Sequence, residues 1–364
     1  MEKVMCYCPP QAPDRAPPVS AAAPSLTVSG MLVLDKPEER TSFSIVHEVK
    51  KLLRLKKVGH CGTLDPFATG VFLLCLNRAT RIADQLLEQD KVYRCGVHFG
   101  CESDTLDKTG KVVPVYDGPP VSEAELQQCL DRFHGAYEQQ VPRYAAVKVQ
   151  GRRLYALSRK GIEIDLPCRG VHIHRIELLS FDWPEATLQV HCSKGTYIRQ
   201  LAADIGRDLR CGAYVSELRR LASGRFALGQ AISLEELRNA QRSNCWQEKL
   251  IGMNEALAHL PSVSIASRET MKRLQDGYLD PALEINFQEQ FPKQKAPVRL
   301  VAAWNNELIA LWWPHENGQK QRRLRVFGTD HTENTFASPD KNDSVAPAFR
   351  RESNTTDNTL PLLR

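Results

Sequence analysis

At 364 residues the chain exceeds the ~100–200 residues of a usual domain, so two domains are expected. Hydrophobic content of 42% and charged content of 25% fit an ordinary globular protein, and no run of ~18 apolar residues could span a membrane. A net charge of +5 permits a nucleic-acid partner without requiring one, because local distribution matters more than the total.

Residues 1–29 hold Pro9, Pro10, Pro13, Pro17, Pro18 and Pro24 among alanines and serines, and read as a disordered tail. The basic start and apolar centre of a signal peptide are both missing. Arg15 beside Glu2 and Asp14 argues against an organellar leader, so a cytoplasmic protein is expected. Met31-Leu32-Val33-Leu34 then predicts a short buried strand, ending at Asp35-Lys36-Pro37. Ile45, Val46, Val49, Leu52 and Leu53 have helical spacing after the candidate caps Thr41 and Ser42. Ser122 and Glu125 form a capping box ahead of Leu126, Leu130 and Phe133. Leu188, Val190 and Cys192 alternate with Thr187, Gln189 and His191 as in a half-buried strand. Leu201, Ile205 and Leu209 predict a helix directly after it.

A second capping box, Ser233 with Glu236, opens a helix near the end of this region, and 240–262 read as a linker ending at Pro261. Residues 298–303, 308–312 and 324–327 are short apolar pieces between turns, the mark of a small β-rich domain. Strands interspersed with helices, without βαβ repetition, predict an α+β fold. The expected division is a core at 30–245, a linker and β-rich domain at 246–330, and a polar tail at 331–364.

The 11 cysteines are scattered without a CxxC pair, so no zinc site is expected and a reducing compartment suits them. Cys61 is the thiol placed where a reagent could matter, although an inert loop thiol is the plainer reading.

The most informative dozen is Gly59-His60-Cys61-Gly62-Thr63-Leu64-Asp65-Pro66-Phe67-Ala68-Thr69-Gly70. One carboxylate sits among three glycines and a proline, where glycine permits unusual backbone angles and Pro66 keeps Asp65 out of a helix. A rigid loop holding one acid suits chemistry. An Asp-Pro pair alone more often only starts a turn.

The dozen resembles the active-site motif of the TruB family of pseudouridine synthases, Gly-His-x-Gly-x-Leu-Asp-Pro-x-Ala-x-Gly. Further family motifs follow in order: Lys91-Val92-Tyr93, Ser103-Asp104-Thr105-Leu106-Asp107, Pro142 to Lys148, and Ser193-Lys194-Gly195-Thr196-Tyr197-Ile198-Arg199. Ala145 stands where the family usually has serine. The resemblance covers about 30–240 well and 250–328 more loosely. It implies a mixed, mainly antiparallel sheet flanked by helices, followed by a small PUA-like RNA-binding domain.

The implied activity is isomerisation of uridine at position 55 in the T loop of tRNA. That reaction breaks a glycosidic bond with sugar-cation character, turns the base and forms a carbon–carbon bond. It needs an ionised carboxylate at the reacting nucleoside, a surface for the detached uracil and an acceptor for the C5 proton. By resemblance the catalytic set is Asp65, Tyr93 and Arg199, with Arg199 pairing Asp65 because a buried carboxylate without a cation would protonate. Tyr93 would stack on the flipped base. His60 would fill the gap left by that base, and Tyr197 would line the pocket. Lys36, Asp104, Asp107, Lys148 and Leu218 are further expected substrate contacts.

Lys50, Lys51, Arg54, Lys56 and Lys57 are read either as one solvated helix face or as a track for phosphates, with Arg219 and Arg220 as further phosphate candidates. The expected partner is the tRNA T arm, and the expected molecule is a monomer needing neither cofactor nor metal. A guide-RNA-dependent synthase subunit and a non-catalytic tRNA-binding chaperone are the alternatives.

Overall fold

The computed structural model describes residues 28–145, 165–314 and 324–328, together with the backbone of 148–149 and 152–153. Both expected tails, apart from Val28 and Ser29, lie outside the described residues. The strands of the first part, in chain order, are β1 (Gly30–Lys36), β2 (Val58–His60), β3 (Thr69–Leu76), β4 (Lys91–Phe99), β5 (Cys101–Ser103), β6 (Val112–Pro114) and β7 (Gly135–Gln140). After them come β8 (Lys148–Val149), β9 (Arg152–Arg153), β10 (Cys168–Asp182), β11 (Glu185–Cys192), β12 (Ala213–Ser223) and β13 (Phe226–Ala227).

The central sheet runs β1-β3-β12-β4-β11-β10-β7, with β2 added on β3 and β13 on β12. Its pairings are antiparallel except β3 with β12, where Thr69 and Gly70 lie beside Arg219 and Arg220 in parallel. The fold is therefore α+β with a mixed, mainly antiparallel sheet. The short β5–β6 and β8–β9 pairs stand apart from it.

The helices Ser42–Leu52, Glu123–Arg132, Ile198–Asp208 and Leu234–Arg242 supply Ile45, Val49, Leu126, Leu130, Leu201, Ile205, Leu234 and Leu237 to one core with Leu32, Leu34, Tyr93, Val97 and Val190. Thr41 caps the first of them, accepting from Ser44 N at 3.0 Å. The boxes at Ser122 and Ser233 both close as their sequences predict.

Four more strands follow: β14 (Ser262–Ile265), β15 (Val298–Ala302), β16 (Leu308–Trp312) and β17 (Leu324–Val326), ordered β14-β15-β16-β17. With the helices Arg268–Gln275 and Pro281–Gln290 they enclose a core of Val263, Ile265, Phe287, Leu300 and Trp312. This small sheet also explains the unbroken apolar run of β1. Leu32 and Leu34 face the helices, while Met31 and Val33 pack with Val71 and Leu73 against Leu308, Leu311, Trp313 and Phe327. A strand buried on both faces loses the polar alternation of a half-exposed one. The strand β11 keeps its alternation, because only one of its faces is covered.

The basic cluster differs from a single helical face. The helix ends at Leu52, and Arg54 takes a left-handed φ of 51°. Buried Leu53 and Leu55 pin the following loop, from which Arg54, Lys56 and Lys57 project into solvent.

Candidate active site

The loop between β2 and β3 is held from beneath by polar groups that sequence patterning does not reveal. The Ser42 hydroxyl, at the first turn of its helix, accepts from Leu64 N and donates to Leu64 O, both at 2.9 Å. Lys36, wholly buried at the end of β1, donates through Nζ to the carbonyls of Pro66 at 3.0 Å, Ala68 at 2.6 Å and Pro37 at 2.9 Å. Burial lowers its pKa to about 8, with nearby Asp65 opposing the shift. Leu64, Phe67 and Ala68 turn into the core. Asp65 is left facing outward, its side chain 31% exposed.

Arg199 comes to Asp65 from the first turn of the Ile198–Asp208 helix. The start of that helix is fixed by fully buried Gln139, which accepts from Tyr197 N at 2.8 Å and donates to Tyr197 O at 3.1 Å. The Arg199 guanidinium forks the carboxylate: Nε donates to Oδ2 at 2.8 Å and Nη2 to Oδ1 at 3.1 Å. It also donates to the carbonyls of Thr105 at 2.8 Å and Tyr144 at 3.3 Å, and its Nη1 lies 3.5 Å from Asp107 Oδ2. A planar five-donor group can serve all these acceptors at once, which a lysine could not. The fork takes one lone pair on each Asp65 oxygen and leaves the others toward solvent.

The expected substrate contacts divide by position. Tyr93, on β4, is buried close enough to Asp65 to feel its charge, and burial raises the phenol pKa against the opposing effect of Arg220. His60 stacks on Phe72 with ring centroids 5.5 Å apart. Burial and the Arg220 charge lower its pKa, and its buried Nδ1 has no hydrogen-bond partner among the described residues. The Tyr197 ring lies 5.7 Å from the Arg169 guanidinium. Leu218 is buried on β12 with Leu64 and Tyr93 in the same core.

Asp104 is exposed and accepts from Lys111 N at 2.8 Å, the loop-capping arrangement. Asp107 is buried, accepting from Thr105 Oγ1 at 2.7 Å and Thr109 N at 2.9 Å while facing Arg199. The side chain of Lys148 lies outside the described residues.

Arg219 and Arg220, the further phosphate candidates, sit on β12 and differ in exposure. Arg219 pairs Asp35 at 2.7 Å. Arg220 is 1% exposed beneath the loop, donating to Val71 O at 2.7 Å and Gly62 O at 3.3 Å. Cys61 is wholly buried, its Sγ 3.3 Å from Cys75 Sγ.

A carboxylate on a braced loop, forked by an arginine with a buried tyrosine nearby, sits on a mixed sheet, the arrangement that the resemblance to pseudouridine synthases implies. The model for the TruB family pseudouridylate synthase N-terminal domain matches residues 50–198, and that for the tRNA pseudouridylate synthase B C-terminal domain matches 199–260. The chain belongs to the TruB family. It is 54% identical over 299 residues to the tRNA pseudouridine synthase B of Syntrophobacter fumaroxidans, covering 82% of this chain and 97% of that protein. With the Bordetella avium protein of the same name it shares 46% identity over 235 residues, 64% of this chain and 95% of the relative. Among solved structures, the Cbf5-Nop10-Gar1 complex contains a chain that superposes with a TM-score of 0.60 at 27% identity, covering 82% of this chain and 84% of that one. The boundary between the two family models falls between Ile198 and Arg199, so Asp65 and Arg199 are matched by different models. The small sheet from Ser262 onward lies beyond both.

Proposed function

We propose that the protein converts uridine to pseudouridine at position 55 in the T loop of tRNA, acting without a guide RNA. The observation that carries this reading is the Asp65–Arg199 fork at 2.8 and 3.1 Å, beside buried Tyr93. The shared name of the relatives, tRNA pseudouridine synthase B, supports the tRNA substrate. Their identities of 54% and 46%, against 27% for the chain from the Cbf5-Nop10-Gar1 complex, favour an enzyme that acts alone over one that works within an assembly.

In this mechanism the target nucleotide leaves the stack and enters beside Asp65. The outward lone pairs of Asp65 meet the nucleoside, where negative charge favours loss of the glycosidic bond. Arg199 supplies the counter-charge and fixes the carboxylate plane, so little reorganisation is needed when the bond breaks. Tyr93 offers its ring face to the detached uracil. Its raised pKa keeps the phenol protonated near neutral pH, so when C5 bonds to C1′ the hydroxyl relays the C5 proton, giving its own to the N1 atom released from C1′.

His60 occupies the space vacated by the base, as a neutral imidazole whose unpartnered Nδ1 is free to take a hydrogen bond when RNA is bound. Exposed Lys50, Lys51, Arg54, Lys56 and Lys57 follow the phosphates of the T stem, and the small sheet at 262–326 forms a PUA-like second contact with RNA. The core at 30–245, with the linker and small sheet at 246–330, is the division of labour this reading assigns. The enzyme works as a cytoplasmic monomer.

The test is incubation of the purified protein alone with an unmodified tRNA transcript, followed by carbodiimide mapping of pseudouridine. A single modified position in the T loop supports the reading. Tight binding without modification would favour a guide-dependent subunit or a binding protein.

A further inference from the structure

The outer face of the central sheet, away from the helices, carries a cluster that the reaction does not use. His191 lies on this face of β11, alternating with core-facing Val190 and Cys192. His174 comes from β10 at an irregularity in its pairing with β11, between Ile173 and Arg175. Asp90 comes from the turn ahead of β4, whose Val92 pairs with His191. The Asp90 Oδ2 atom is 3.2 Å from His174 Nε2 and 3.9 Å from His191 Nε2, and one donor atom from each residue lies within 4.8 Å of the others. The rings of His174 and His191 are 4.8 Å apart, and that of His172 stands 4.7 Å beyond His174.

We propose that Asp90, His174 and His191 form a binding site for a divalent transition metal of the Zn2+ class. Two imidazoles and one carboxylate are a donor set such ions favour, leaving a fourth position for water. Donors around a tetrahedral Zn2+, each ~2.0–2.2 Å from the ion, stand ~3.3 Å apart. Asp90 Oδ2 stands near that distance from both imidazole Nε2 atoms, and all three side chains are partly exposed.

The ligands come from the turn ahead of β4, the middle of β10 and the end of β11, so no short sequence spacing announces them. The site is structural by its location. A bound ion would tie the turn ahead of β4 to β10 and β11, with Asp90 three residues before Tyr93 and His191 eight before Arg199 of the following helix. It lies on the opposite face of the sheet from Tyr93 and takes no part in the isomerisation.

The experiment uses the full chain stripped with chelator, then titrated with Zn2+ by calorimetry and followed by thermal melting. The expected result is saturable binding of one ion per chain with a raised Tm, lost in both His174→Ala and His191→Ala, each of which retains the metal-free Tm to within a few degrees. Substituting Co2+ should give a visible spectrum of nitrogen and oxygen ligation. Binding that persists in the double variant His174→Ala/His191→Ala, a Co2+ spectrum with thiolate charge-transfer bands, or no saturable binding would overturn the proposal. In the last case the cluster would be a histidine–aspartate ion pair alone.

Discussion

Gly70 and Arg220 face each other across the parallel pairing of β3 and β12, so closely that a Cβ on Gly70 would stand 2.2 Å from the Arg220 carbonyl oxygen. Gly70 also has a φ of +100°, which side-chain-bearing residues rarely adopt. The last glycine of the motif thus lets β12 approach and carry Arg220 beneath the catalytic loop. Gly70→Ala should destabilise the protein by ~2–4 kcal/mol. By contrast, a Cβ on Gly59 would meet Thr80 Cγ2 at 3.5 Å, an ordinary contact, so Gly59→Ala should cost under ~1 kcal/mol. Urea unfolding of the two variants checks the contrast, and equal losses would contradict it.

Arg199 holds Asp65 and faces Asp107, and is 4% exposed. Arg199→Lys keeps the charge but cannot reproduce the fork or reach both backbone carbonyls. Removing one partner of a fully buried ion pair costs ~3–5 kcal/mol, and the one-third exposure of Asp65 reduces this to ~2 kcal/mol. Turnover should fall by ~10²-fold or more through misplacement of the carboxylate. Single-turnover kinetics with saturating tRNA isolates that effect from binding. A lysine variant with unchanged turnover would show that the fork is dispensable.

Lys36 gives a pH signature. Its pKa in the folded protein is about 8, below the 10.5 of a solvated lysine, because burial disfavours the charged form. Below pH 8 both states hold the proton and the burial cost is constant. Between about 8 and 10.5 the unfolded chain binds more protons than the folded one, so this residue's contribution to stability rises with pH. The stability of the wild type minus that of Lys36→Met should therefore increase by ~2 kcal/mol across this window. Denaturant curves at stepped pH supply the difference, and a flat one would place the ammonium in a solvated setting.

The thiols provide a probe of loop opening. Cys61 and Cys75 are both buried, whereas Cys168 is exposed on β10. Alkylation of the native protein, read by peptide mass, should label Cys168 in minutes and Cys61 only on the timescale of unfolding. Labelling of Cys61 as fast as Cys168 would mean that the loop is not braced as described.

Much of the site was readable as local pattern. The dozen around Asp65 is contiguous, Arg199 follows an alternating strand directly, and the boxes at Ser122 and Ser233 are short-range signals. The supports were not readable. Lys36 and Arg220 are charged residues that look solvent-exposed in sequence, yet both are buried because backbone carbonyls of the loop receive them. Gln139 and Ser42 act on residues 58 and 22 positions away. Such long-range pairing depends on strand order, and the parallel neighbours β3 and β12 are separated by most of the core. The helical spacing of Ile45, Val46, Val49, Leu52 and Leu53 reaches into the run of basic residues, but the helix ends at Leu52 and the chain turns at Arg54.

In the proposed reaction the Asp65 carboxylate, set by Arg199, carries out the chemistry. The most direct measurement compares wild type with Asp65→Asn on unmodified tRNA, recording pseudouridine formed in a single turnover and tRNA affinity in parallel. The amide keeps the shape but loses the charge. The account predicts tRNA affinity within a few fold of wild type and no detectable pseudouridine. Pseudouridine formed by the Asn variant at a comparable rate would contradict it.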